Sequence, residues 1–148
     1  MKFLSAFTVD ETTLPAQKDA AVGLFGAGTW APDFDLDRSK AFVANFEAKY
    51  GYVPGSYAMQ AYDAALLIDS AVSAVGGDVS DKAGLKAALK VAKFDSMRGT
   101  FKFNVNQYPI QDFYLLNIGK RPDGKYQTEI AQKILTGSGD SFAAECKM

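Results

Sequence analysis

Three aspartates at alternate positions, Asp33, Asp35 and Asp37, form the densest set of potential metal ligands in the chain. Their spacing matches the start of an EF-hand calcium loop, which also needs glycine at its sixth position and a bidentate glutamate at its twelfth. Counted from Asp33, those places hold Arg38 and Ala44. A carboxylate ahead of an apolar-periodic stretch has a simpler use as a helix cap, so Asp35 or Asp37 is expected to accept hydrogen bonds from a first helical turn. The glycine-rich "GLFGAG" (23–28) is followed by neither Lys-Ser nor Lys-Thr, and its spacing fits neither a phosphate loop nor a dinucleotide fingerprint. Asp63, in "AYDAA", has no base or nucleophile beside it in sequence and is expected to make a structural hydrogen bond.

The wider inventory points the same way. Histidine is absent, which removes the commonest proton carrier near neutral pH and the commonest transition-metal ligand. The expectation is a protein without catalysis, metal or cofactor. Cys146 is the sole cysteine, so no internal disulfide can form. A net charge of -1 supplies no field that would gather nucleic acid. No apolar run reaches the roughly 18 residues that cross a bilayer. The opening "MKFLSAFTVD" is too short in its apolar part for a signal peptide and reads as structure.

The elements that must position any site follow from periodicity. Phe3 to Phe7 reads as a strand running into a polar turn closed by Pro15, and Ala21 to Phe25 as a second strand continuing into an irregular crossing through Trp30. A helix then runs to Gly51 with Phe42, Phe46 and Tyr50 as its core face. A longer one starts near Ser56, its expected N-cap, and ends at Gly76-Gly77. Its expected buried stripe is Tyr57, Ala61, Ala64, Ala65, Ile68, Val72 and Val75. Ser80 is the expected cap of a third helix with Leu85, Ala88, Leu89 and Ala92 inside. From Thr100 the period becomes two: Phe101, Phe103 and Val105 alternate with Lys102 and Asn104. "DFYLLNIG" is apolar on both faces and so central, and "RPDG" turns the chain into "KYQTEIAQKIL". The tail after it is small, polar and expected to be loosely held. The order is α/β but lopsided, with few leading strands for so many helices.

The stretch "GTWAPDFDLDRSKAFVANFEAKYGYVPGSYAMQAYDAALLIDSAV", followed by "LKAALKVAKFDSMRGTFKFNVNQYPIQDFYL", resembles the C-terminal part of the type I periplasmic solute-binding proteins of ABC transporters, in the branched-chain amino acid and aromatic compound group. The likeness runs from about Phe3 to about Tyr126. It implies a partial type I periplasmic-binding-protein fold: three-layer αβα lobe elements with a C-terminal antiparallel strand run. Such proteins have two lobes that close on a ligand, which lies beyond the carboxyl ends of the parallel strands. On this resemblance residues 1–148 are a C-terminal fragment of a two-lobe protein, with about 1–28 supplying second-lobe strands and a ligand loop, and 29–148 crossing back between lobes. The implied partners are a small-molecule ligand and the membrane subunits of the transporter. The implied location is the periplasm, and an exposed lobe face implies self-association.

The loop after the first strand faces the ligand in this family, and members that bind amino acids carry an acidic residue there for the ammonium group. Phe7 stands at that position here. A ring cannot balance a buried ammonium, and leaving that charge unpaired costs several kcal/mol. The implied ligand is therefore an aromatic or keto carboxylate without an ammonium group, with Ser5 and Thr8 as hydroxyl donors. Branched-chain amino acid binding and a stand-alone sensing module are the alternatives. The other reading of Phe7 is the last core residue of a strand. Trp30 lies where the family's chain changes lobes, as a cleft-edge or hinge residue or as plain packing.

Overall fold

The computed structural model describes residues 4–6 and 9–146. In chain order the elements are β1 (Leu4–Ala6), a short helix α1 (Leu14–Gln17) continuing into a 3-10 turn (Lys18–Ala21), and β2 (Phe25–Gly28). Then come α2 (Asp37–Tyr50), α3 (Ser56–Ala74), α4 (Lys82–Val91), β3 (Lys102–Phe103), β4 (Pro109–Lys120), β5 (Tyr126–Ser138) and a last 3-10 turn at Ala143–Glu145. The architecture is α/β, as the element order predicts. β1 and β2 are parallel, while β4 runs antiparallel to β2, β3 and β5.

β4 is the central strand expected for "DFYLLNIG": β2 pairs along Tyr114–Asn117 and β5 along Gln111–Lys120. Tyr114, Leu116 and Ile118 alternate into the interior, where Ala31 and Leu14 meet them. The hairpin to β5 turns where "RPDG" predicts, with Gly124 at φ +83°. Glu47 of α2 receives both Arg121 and Lys125, which ties that turn to the helix.

The second strand is displaced from its expected place. Residues 18–21 coil into a 3-10 turn, Gly23 adopts φ +80°, and the strand begins only at Phe25. Its glycines fall where an irregular crossing is expected, but they lie in the sheet because neighbours come close: a Cβ on Gly28 would sit 3.0 Å from Leu116 Cδ1, and one on Gly26 would sit 3.2 Å from the Ser5 carbonyl oxygen. The turn closed by Pro15 is a helix, α1, with Pro15 in its first turn, where its missing N–H costs nothing.

The helices keep their places but change caps and faces. α2 ends on Gly51 at φ +81° as expected, yet its N-cap is Leu36, without a side-chain cap. Asp35 pairs instead with Lys40, and Asp37 is the first helical residue. On the aromatic face Phe42 is buried, Phe46 half-buried and Tyr50 exposed. Gly55, not Ser56, caps α3, and Asp81, not Ser80, caps α4 by accepting the Gly84 N–H at 2.9 Å. Ser80 binds Asp78 in a local turn. Leu85, Ala88 and Leu89 of α4 are half-buried.

The largest departure is α3. Most of its expected core stripe faces out, with Tyr57 61% and Ile68 56% exposed but Val72 and Val75 half-buried, while Ser56, Met59, Asp63 and Ala71 are buried. The reason is Asp63. Its carboxylate accepts hydrogen bonds from Ser96 Oγ (2.6 Å), Met97 N (2.8 Å) and Arg98 Nε (3.2 Å), which turns that side of the helix onto the 96–98 segment. Val105 also leaves its expected strand: the chain turns through Asn104–Gln107, and Gln107 takes φ +64°. Asn106 is held by Asp140 at 2.6 Å and Asp112 accepts the Gly137 N–H at 2.8 Å, so the tail is attached rather than loose.

Candidate functional site

β1 and β2 point the same way, so their carboxyl ends open on one side of the sheet, where α/β folds place ligands. Ser5 lies in β1 opposite Gly26. Phe7 and Thr8, which follow β1 in sequence, lie outside the described residues. The loop beyond them is locked by its own polar groups. The Asp10 carbonyl accepts the N–H groups of Thr13 (3.0 Å) and Leu14 (2.9 Å), and Asp10 Oδ1 accepts the Thr12 N–H (3.0 Å) and hydroxyl (2.6 Å). Leu14 then plugs the core beside Ala21 and Ile118.

Glu11 ties this loop to β5. Its Oε1 receives both the backbone N–H and the hydroxyl of Thr128, each at 2.7 Å. Its Oε2 is buried and has no hydrogen-bond partner among the described residues. Burial disfavours the charged form more than the Thr128 hydrogen bonds favour it, so the pKa is pushed up to about 7. Gly55 closes the arrangement at the start of α3, where a Cβ would lie 3.1 Å from Asp10 Oδ2 and 3.5 Å from Glu11 Oε2. Only a residue without a side chain lets two acids come this near the backbone. Glu11 thus fastens the loop after β1 to β5, and Gly55 lets the beginning of α3 lie against both acids.

The chain leaves β2 through Thr29 and Trp30. Trp30 is wholly buried, donates its indole N–H to Ser39 Oγ at 2.7 Å, and packs edge-on against Phe42 at 6.1 Å. Met59 and Met97 complete its surroundings, so its neighbours come from α2, α3 and the segment before β3. The structure therefore puts Trp30 in the packing between helices and does not bring it together with Ser5. Asp33, an exposed residue, takes the Ile130 N–H on both carboxylate oxygens, and partial desolvation of its carboxylate raises its pKa. The three alternating aspartates thus serve β5, Lys40 and the start of α2 separately. Among the described residues no three His, Cys, Asp or Glu side chains gather as a metal site. Sequence reasoning missed Glu11 and Gly55: an acid in "DETT" reads as a solvated turn, and only its distance from β5 in space makes it special.

These features make an α/β unit whose parallel strands β1 and β2 end on one side of the sheet. The chain belongs to the periplasmic binding protein family, whose sequence model matches residues 1–125. No curated protein matches the chain significantly. Among solved structures, it is similar to a solute-binding protein of an ABC transporter from R. palustris in complex with benzoate, at 32% identity and TM-score 0.89, over 100% of this chain and 39% of that one. A solute-binding protein from Rhodopseudomonas palustris BisB5 in complex with 3,4-dihydroxybenzoic acid is 27% identical with TM-score 0.82, over 95% of this chain and 38% of that one. A leucine-binding protein from Thermotoga maritima, at 20% identity and TM-score 0.66 over 85% of this chain and 35% of that one, shares the fold. The chain spans about 39% of the length of the benzoate-bound relative.

Proposed function

We propose that this chain serves in the uptake of a small aromatic carboxylate, held without chemical change between closing lobes and passed to the membrane subunits of an ABC transporter from the periplasm. The carrying observation is the benzoate-bound relative, similar to this chain over 100% of its length at 32% identity. Residues 1–28 supply second-lobe strands and the ligand loop, and 29–148 pass between the lobes. Phe7 lays its ring on the ligand and offers an ammonium group no counter-charge, and Ser5 and Thr8 donate hydroxyl hydrogen bonds to the carboxylate. Trp30 serves from beneath, fixing the crossing segment to α2.

Calorimetric titration of the purified chain with benzoate, 4-hydroxybenzoate and leucine tests this reading. Binding of the benzoates but not of leucine, with loss of benzoate binding in Phe7→Glu, is the expected result. Leucine binding without any response to the benzoates would overturn it.

A further inference from the structure

We propose that Glu11 is a positioning residue for the ligand loop after β1, and that the proton on its carboxyl latches that loop to β5, so that the hold on the ligand loosens as the proton passes to water. The proposal rests on the reading that this loop faces the ligand, and it names how that same site is regulated.

The loop's two acids have different reach. Asp10 directs its hydrogen bonds to Thr12, Thr13 and Leu14 inside the loop, whereas Glu11 Oε1 takes the N–H and hydroxyl of Thr128, 117 residues away in sequence. Glu11 is 4% exposed, and its Oε2 is sealed with no hydrogen-bond partner among the described residues. An ionised carboxylate in that place leaves one oxygen unmet, at a cost larger than that of the neutral carboxyl.

The groups that face Glu11 do not make up the deficit. Asp10, beside it in the loop, adds a second negative charge, and the start of α3 presents only the uncharged Gly55. Lys18 of α1, Tyr52 ahead of α3, and Lys125 and Tyr126 where β5 begins line a pocket of about 240 Å³ together with Glu11. Lys125 is engaged by Glu47 and Asp123, and neither lysine pairs with Glu11 among the described residues. Burial therefore outweighs the Thr128 bonds and pushes the pKa up to about 7. Histidine, the usual sensor in this range, is absent from the sequence. Swung into water, the same carboxyl returns to its ordinary 4.5, so the latched loop holds the proton more tightly than the released one. The latch is at full strength below pH 4.5, and this contribution is lost as pH rises through about 7.

The test is amide hydrogen exchange of the purified chain between about pH 5 and 8, with the intrinsic pH dependence of exchange divided out, beside calorimetric titration of benzoate over the same range. Opening at the Thr12, Leu14 and Thr128 amides is expected to increase together by roughly 50- to 100-fold and to flatten above about pH 7, while amides of the β2–β4 ladder hold steady. Benzoate affinity should fall over the same interval, and Glu11→Gln should remove the pH dependence of both. A Thr128 profile without pH dependence, or one that survives Glu11→Gln, would overturn the latch. Exchange that follows pH while benzoate affinity does not would overturn its hold on the ligand. If benzoate binds at no pH but the exchange profile is as expected, the reading of the ligand falls and the latch stands.

Discussion

Asp63 and Glu11 are both nearly sealed from water, at 2% and 4% exposed, yet the two regions treat them differently. Around Asp63 the chain gathers three donors, one of them the guanidinium of Arg98, and both oxygens are used. Around Glu11 it supplies two donors to a single oxygen, no cation, and a second acid, Asp10, close by. One carboxylate is therefore an anchor between α3 and the segment entering β3. The other holds a proton until near pH 7, at the joint between the loop after β1, β5 and α3. Burial alone says little about what an acid does, because the partners on each oxygen decide whether charge is welcome.

The comparison can be broken most sharply at its anchor. Asp63→Ala leaves Arg98 buried without its counter-ion and strips the Met97 N–H and Ser96 hydroxyl of their acceptor, and should cost about 3–5 kcal/mol in urea unfolding. The paired change Asp63→Leu with Arg98→Met should recover much of that loss, because it removes both charges together. A small effect from Asp63→Ala would mean that the two acids do not differ as described.

At Glu11 the expectation has the opposite sign. The folded pKa is raised from 4.5 to about 7, so the stabilising contribution of the protonated acid is fully present below pH 4.5 and is lost as pH rises through about 7. Glu11→Gln cannot ionise and keeps an acceptor for Thr128. It should match the wild type in acid and exceed its stability by about 3 kcal/mol near pH 8, read from urea midpoints across the range. A difference that does not change with pH would show that Glu11 is paired as well as Asp63 is. Gly55→Ala should have the smallest effect, about 1–3 kcal/mol of destabilisation, because its Cβ presses on the Asp10 carboxylate. That loss should shrink when Asp10→Ser is added, a double-mutant cycle that measures how closely the acids crowd the start of α3.

Much of the scaffold was legible in the sequence. Gly51, the "RPDG" turn and the doubly apolar "DFYLLNIG" each specify a local geometry by their own chemistry, and the structure agrees at all three. Periodicity failed where a polar residue was a core residue. The Asp63 side of α3 is buried and the alanine stripe is not, because three hydrogen bonds from distant residues outweigh the pattern of apolar spacing. The glycines of β2 misled for a related reason: their purpose is set by Leu116 and by the backbone at Ser5, which only the folded sheet brings near. Of the candidate site, the family resemblance pointed to the loop after β1, while Glu11 and Gly55 became visible only through neighbours remote in sequence.

β4 is gripped unevenly along its length. β3 pairs with it at Pro109–Ile110, β2 takes hold only at Tyr114, and in the interval β5 is its strand partner, with breaks in register on both sides of Phe113. Such a stretch is a torsion spring: twist applied between the helical end of the molecule and the β1–β2 end collects in these few residues, where the fewest ladder bonds resist it. Gln111 and Asp112 stand at that weak point, so the torsional stiffness of β4 rests on very few residues.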